Sequence, residues 1–414
     1  MNDAAAGIAA LATVAVALCA LLRLARPRKD ARDAISAWAI FAGLAAAAAL
    51  GPSLLGRVDP ALHGRLIAGV THGSPEALRL ERAHARARAD AAAGLKPEDA
   101  AAEVKGAQDA VDAKARAFAQ PRQATAAALG AVLIMLCWPR LRRVPVRPGI
   151  APLVAWSVTL PALLAYIAMR LWVGADAVAA ICAAAACATG ATFPTAAAWR
   201  AARRCDGTGG SLVAHAGAWC LPVAAVALAS AAAVAGMRED DGFASIRAHP
   251  PTALAAFGAL CIACVAAPLA GRWLSPPDVS EGAPHPSRAW RGIGIDALTA
   301  AAVALTVANF NPLSWDFLWA AAIFALIAED GRWVAGWAAC YLQGTHTSRD
   351  AARVGAMLEE NSRPMVAVIC SGSAIGLLEA QQAAMLCAAA WALDLTWGVR
   401  RLISVAPAKQ ATPE

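Results

Sequence analysis

Residues 314 to 342 read SWDFLWAAAIFALIAEDGRWVAGWAACYL, and how this stretch is divided decides the fold. Taken as one segment it is a long apolar helix with Glu329, Asp330 and Arg332 near its middle. Taken as two, Leu313 to Ala328 is a short span ending at Gly331, and the charges lie at a membrane surface ahead of an interfacial helix holding Trp333 and Trp337. Sixteen residues is slightly short for a span, which needs about 20. Ionisable groups inside a bilayer are costly, usually paired, and functional by default. Glu329 and Arg332 are three apart, so on a helix they share a face.

The rest of the chain sets the context. It is 59% hydrophobic and only 16% charged, against about a quarter charged in soluble domains. Apolar runs near bilayer length recur, built from Ala, Leu, Val and Gly, which suits helices better than barrel strands. We expect an all-α polytopic membrane protein with about 11 transmembrane helices. The runs are Ala4–Leu24, Ala34–Leu55, Gln123–Trp138, Ile150–Leu171, Ala175–Trp199, Ser211–Gly236, Thr252–Gly271, Gly292–Phe310, Ser314–Leu342, Pro364–Leu378 and Ala380–Val399. With the N-terminus outside, the basic clusters Arg26/Arg28/Lys29, Arg140/Arg142/Arg143/Arg147, Arg200/Arg203/Arg204, Arg272/Arg288/Arg291 and Arg400/Arg401 all fall on one side. The positive-inside rule then predicts a multi-pass protein of the cell (inner) membrane, N-terminus out and C-terminus in the cytoplasm. The net charge of +7 is explained by these clusters and is no nucleic-acid signal. The first run has its basic cluster after it, so it reads as a retained span and not a cleaved signal.

One segment differs. Glu76 to Arg122 mixes both charge signs with alanine and is interrupted at Gly94-Leu95-Lys96-Pro97. It reads as a water-exposed helical hairpin on the outer side, a solvated insertion before it is a binding module. The predicted organisation is N-terminal spans over 1–75, the hairpin over 76–122, a transport-like core over 123–403 and a short disordered tail over 404–414. Most cysteines sit in apolar runs and read as small hydrophobes. Cys261 and Cys264 form a CxxC with no second pair, a weak metal or redox signal. No cofactor and no metal site is expected. No nucleophile–base pair or phosphate loop is evident, so no enzyme is expected.

Four stretches together resemble the membrane domain of Kef-type monovalent cation:proton antiporters. LGPSLLGRVDP from Leu50 looks like the phrase that opens that family's transport domain. CAAAACATGATFPT, Cys182 to Thr195, is similar to its first broken helix. IAEDGRWVAGWAACYLQG, Ile327 to Gly344, is similar to its span with a mid-helix basic residue. RVGAMLEENSRPMVAVICSGSAIGLL, Arg353 to Leu378, is similar to its second broken helix. The resemblance implies an inverted-repeat fold with two broken helices, alternating access, a monovalent cation and a proton as partners, and a homodimer in the lipid bilayer. Gly190 and Pro194 would interrupt a helix in mid-membrane, where freed backbone groups must line a cavity. A Pro kink in an ordinary span reads equally well. Thr189 and Thr192 would then be candidate ion ligands.

The resemblance also implies one or two acids at about Trp219-Cys220, within SLVAHAGAWCLP, and none is there. SRPM likewise stands where a glycine–glutamate phrase is common. The resemblance therefore places the long reading of residues 314–342 ahead. Glu329 and Asp330 become the candidate carriers, balanced by Arg332, with Thr189 and His215 facing them. His215 also reads as a structural histidine near the membrane edge. Asp296 and Asp394 read first as interfacial partners of Arg291 and Arg400, and Asp176 and Asp316 as hydrated. The expected function is Na⁺ or K⁺/proton antiport with a relocated charged site. The alternative is a transport-inactive relative serving as membrane scaffold or sensor.

Overall fold

Alanine and leucine dominate the long apolar runs, and both propagate helix well. In the computed structural model every regular element among the described residues is a helix. Those residues are 3–24, 35–71, 73–93, 97–137, 150–189, 286–312, 314–342, 362–374 and 376–404. The elements are α1 (Asp3–Leu24), α2 (Ile35–Leu50), α3 (Leu55–Val58), α4 (Pro60–His63), a π-helical turn (Gly64–Ala68), α5 (Pro75–Ala92), α6 (Pro97–Cys137), α7 (Ile150–Leu171), α8 (Ala177–Thr189), α9 (Pro286–Thr306), α10 (Trp315–Leu342), α11 (Ser362–Ala374) and α12 (Ala380–Ser404). Two helical stretches, Asp3–Leu24 and Trp38–Val58, are long and apolar enough to cross a bilayer by length and composition. Shorter apolar stretches include Thr159–Leu171, Ala177–Ala188, Ile293–Thr306, Asp316–Ala328 and Met365–Ala374. The expected spans Ser211–Gly236 and Thr252–Gly271, the Cys261/Cys264 pair, Gly190, Pro194 and the lead-in from Arg353 lie outside the described residues.

The helices pack side by side as α1, α2, α12, α10, α7, α8, α11, α6 and α9, with α9 returning to α1. Across this ring α9 touches α2 and α11, and α11 touches α12. Small residues permit the close approaches. A Cβ at Gly43 would lie 2.6 Å from the Ala300 carbonyl oxygen, and one at Gly372 would lie 2.3 Å from Cys182 Sγ. Buried hydroxyls turn inward on their own helices: Thr299 donates to the Ile295 carbonyl at 2.8 Å and Ser371 to the Ala367 carbonyl at 3.0 Å. Such bonds satisfy polar groups without water, as an apolar surrounding requires.

One end of the bundle is tied by polar contacts. Ser53 Oγ donates to Asn311 Oδ1 at 3.3 Å. Gln381 accepts from the Asn311 amide at 2.9 Å and donates to its carbonyl at 3.2 Å and to Ser314 Oγ at 3.3 Å. The ends of α2, α9, α10 and α12 therefore meet on one side. Asp176 accepts from the Ala179 amide at 2.7 Å and so caps the start of α8.

The charged segment forms α5 against α6, held by Lys114 donating to Glu76 and by Arg86 to Glu103 at 3.1 Å. The predicted boundary after Arg122 falls inside a single helix. α6 runs 41 residues through Pro121, or roughly 60 Å at 1.5 Å per residue. Pro121 forfeits one backbone bond. Partners on both sides hold the helix on its course: Lys114 reaches Glu76 on α5, and Arg122 donates to the Ile67 carbonyl at 2.9 Å.

Candidate functional site

Residues 315–342 form one unbroken helix of 28 residues, so Glu329, Asp330 and Arg332 sit midway along α10. Gly331 turns toward α7, its Cβ position 3.6 Å from Pro161 and Leu164. Asp330 lies on the outward face, exposed, with exposed Leu326 and Val334 one turn to either side. Thr189 is the last residue of α8, which touches α10. Thr192 and His215 lie outside the described residues; of the rest of the predicted set, Glu329, Asp330 and Arg332 are on one helix and Thr189 is at the end of another helix that touches it.

The buried carboxylate among the described residues is one that sequence reasoning set aside. Asp296 on α9 is 1% exposed. Arg23, in the last turn of α1, places Nη1 3.2 Å from its Oδ2, with the arginine side chain 28% exposed. Arg23 is therefore a partner of Asp296, and the side chain of the expected Arg291 lies outside the described residues. An unpaired carboxylate at such a place costs several kcal/mol, and the guanidinium of the partly exposed Arg23 compensates it. No local pattern in the sequence announces this pair, because its two residues meet through helix packing. A signal was present all the same: Arg23 is the one basic residue inside the first apolar run, and Asp296 lies inside another.

A second polar site lies at the hairpin end of the bundle. There a hollow of about 420 Å³ is lined by Gly56, Pro60, His63, Val70, Leu80 and Glu81, among others. His63 Nε2 and Arg122 Nε are both buried without a hydrogen-bond partner. Burial first, and the charge of Arg122 second, hold the His63 imidazole below its ordinary range. Gly69 closes the nearby turn at φ 74°, and a Cβ there would fall 2.4 Å from Phe118. No group of three or more His, Cys, Asp or Glu side chains arranged for a metal occurs among the described residues.

No protein-family model matches the chain, and no curated protein matches it.

Proposed function

We propose that the chain is a polytopic membrane protein that acts as a secondary transporter, exchanging a monovalent cation for a proton by alternating access. The observation that carries the reading is Asp296, a carboxylate 1% exposed inside an apolar helical bundle and held by Arg23. Ionisable groups in such surroundings are rarely retained without a role in ion or proton movement. The outward surface agrees with a lipid setting. Leu21, Leu24, Leu163, Leu171, Trp172 and Trp319 each expose more than half of their surface, and large apolar side chains left open in this way suit contact with lipid or a partner. Glu329, Asp330 and Arg332 in the middle of α10 supply the second charged group. The division of labour is then a carrier carboxylate at Glu329 or Asp330 and a charge-balanced pair at Asp296 and Arg23.

The test is proton flux in liposomes on adding Na⁺ or K⁺, with three proteins compared. Wild type dissipates the pH gradient in a cation-dependent way. Glu329→Gln with Asp330→Asn abolishes the flux, while Asp296→Asn, if it inserts and folds, separates the two charged groups. Folded wild-type protein that moves no protons with either cation would end the transport reading.

The second reading is a transport-inactive scaffold or sensor. One observation favours it: Asp296 and Arg23 already neutralise each other and tie α1 to α9, which a purely structural pair would also do. Folded wild-type protein without flux, in which Asp296→Asn still lowers stability, would point the same way.

A further inference from the structure

We infer that the outward face of α7 and α10 is the surface that meets the hydrocarbon of a bilayer, with aromatic side chains at its two edges and Asp330 at its midplane. The inference rests on the membrane reading above and deepens it by giving the depth of these two helices.

The helices pack side by side, with Gly331 of α10 against Pro161 and Leu164 of α7. α10 buries Phe317, Phe324 and Ala328 and exposes Trp319, Leu326 and Val334. α7 buries Ala165 and Met169 and exposes Trp156, Leu163 and Ile167. Positions three, four and seven apart lie on one side of a helix, so each helix presents one outward stripe. Between Trp319 and Tyr341 the exposed side chains described on α10 are Ala322, Leu326, Asp330 and Val334. Asp330 is the charged one among them.

Apolar surface alone would suit a protein partner as well as lipid. The ends of the stripes decide between them. Trp156 and Trp172 stand at the two ends on α7, 43% and 72% exposed, and Trp319 and Tyr341 at the two ends on α10, 57% and 49% exposed. Trp337 stacks on Tyr341 with ring centroids 5.2 Å apart. Tryptophan and tyrosine concentrate where bilayer hydrocarbon meets headgroups. At 1.5 Å per residue the two aromatic ends are roughly 24 Å apart on α7 and roughly 33 Å apart on α10. These values bracket the hydrocarbon thickness of about 30 Å. Charge follows the same order: exposed Arg170 lies beside Trp172 and exposed Asp316 beside Trp319. At that level an arginine meets lipid phosphate, its opposite in charge, and an aspartate meets water. A protein interface imposes no such spacing.

Asp330 is eleven residues from Trp319 and eleven from Tyr341, so it lies roughly 16 Å from each level. Acids are rare at that depth and mark ion or proton pathways, which is what the transport reading asks of a carrier carboxylate.

The experiment is photolabelling of the full chain in phosphatidylcholine liposomes with two diazirine lipids, one reactive at the acyl-chain end and one near the glycerol, mapped by peptide mass spectrometry. The chain-end probe should label Leu163, Ile167, Leu326 and Val334 several-fold more than the glycerol probe. The order should reverse at Trp156, Trp172, Trp319 and Tyr341, and buried Phe324 and Met169 should stay unlabelled. The labelling does not depend on flux, so a failure of transport leaves it in place. Labelling of Val16 on α1 with none on α7 or α10 would overturn the inference and leave the membrane reading standing. Chain-end labelling concentrated at Trp319 and Tyr341 would overturn the assigned depth. An oxidative Leu326→Cys dimer that wild type does not form would give the face to a second copy instead. No labelling anywhere on folded, liposome-bound protein would end the membrane reading, and this inference with it.

Discussion

Two ion pairs with the same chemistry sit in opposite surroundings. Arg86 and Glu103 meet at 3.1 Å across the hairpin with side chains 73% and 50% exposed. Arg23 and Asp296 meet at 3.2 Å in the bundle with side chains 28% and 1% exposed. The distances are nearly equal and the consequences are not. In the hairpin, water solvates each charge whether or not the pair forms, so the pair contributes little. In the bundle, desolvation has already been imposed on Asp296, and its counter-charge is what makes that burial tolerable. The hairpin can therefore carry many charges at little cost, while the bundle keeps a few and positions them closely.

Breaking the bundle pair should give the largest effect. Arg23→Met removes the guanidinium beside the buried Asp296, and we expect a loss of about 3–5 kcal/mol. The readout is denaturant or thermal unfolding in detergent. Replacing both, Arg23→Met with Asp296→Leu, should recover much of that loss, since an apolar pair of similar volume needs no counter-charge. A single substitution that costs no more than Arg86→Ala would show that water reaches Asp296, and the contrast between the two regions would collapse.

Close packing distinguishes the regions next. A Cβ at Gly372 would lie 2.3 Å from Cys182 Sγ, and both residues are in the interior of the bundle. Gly372→Ala should destabilise by about 1–3 kcal/mol, the usual cost of overpacking. Cys182→Ala in the same chain removes the obstructing sulfur and should restore most of it. Gly106 in the hairpin half of α6 has no heavy atom within 4 Å of its Cβ position. There Gly106→Ala should be neutral or stabilise by up to about 1 kcal/mol through helix propensity.

What could be read from the sequence follows the same division. Long apolar runs of Ala and Leu announce helices, and α1, α7 and α10 lie close to where the runs begin and end. The hairpin helices were legible from mixed charge on either side of Gly94-Leu95-Lys96. The course of α6 through Pro121 was not, because composition changes there and the helix does not end. The site was less legible. Glu329, Asp330 and Arg332 stand out by their charge, and they lie on one helix, α10, just after its apolar stretch Asp316–Ala328. Asp296 stands out just as much, but its partner is fixed by which helices are neighbours, and nothing local encodes that α1 lies against α9. Arg122 ends a segment rich in charge and His63 precedes it, and neither was distinctive until folding buried their nitrogens.

The smallest effect belongs to the hairpin and has a defined pH sign. The hydrogen bond from Lys114 holds the Glu76 carboxyl below its ordinary range, aided by a backbone bond within its own residue. A carboxylate with a depressed folded-state value binds fewer protons folded than unfolded, so stability rises with pH across the window between the two values. The contribution is complete above the unfolded value, near 4.3 for an unperturbed glutamate by rough convention, and is lost as pH falls through the lower folded value. Both side chains are partly open to solvent, so the effect should be small and screened by salt. Lys114→Met should flatten this acid limb for the hairpin amides in hydrogen exchange while leaving the α1 and α9 amides unchanged. If the bundle amides followed, the single helix α6 would be carrying hairpin charge into the core, and the two regions would have to be treated as one.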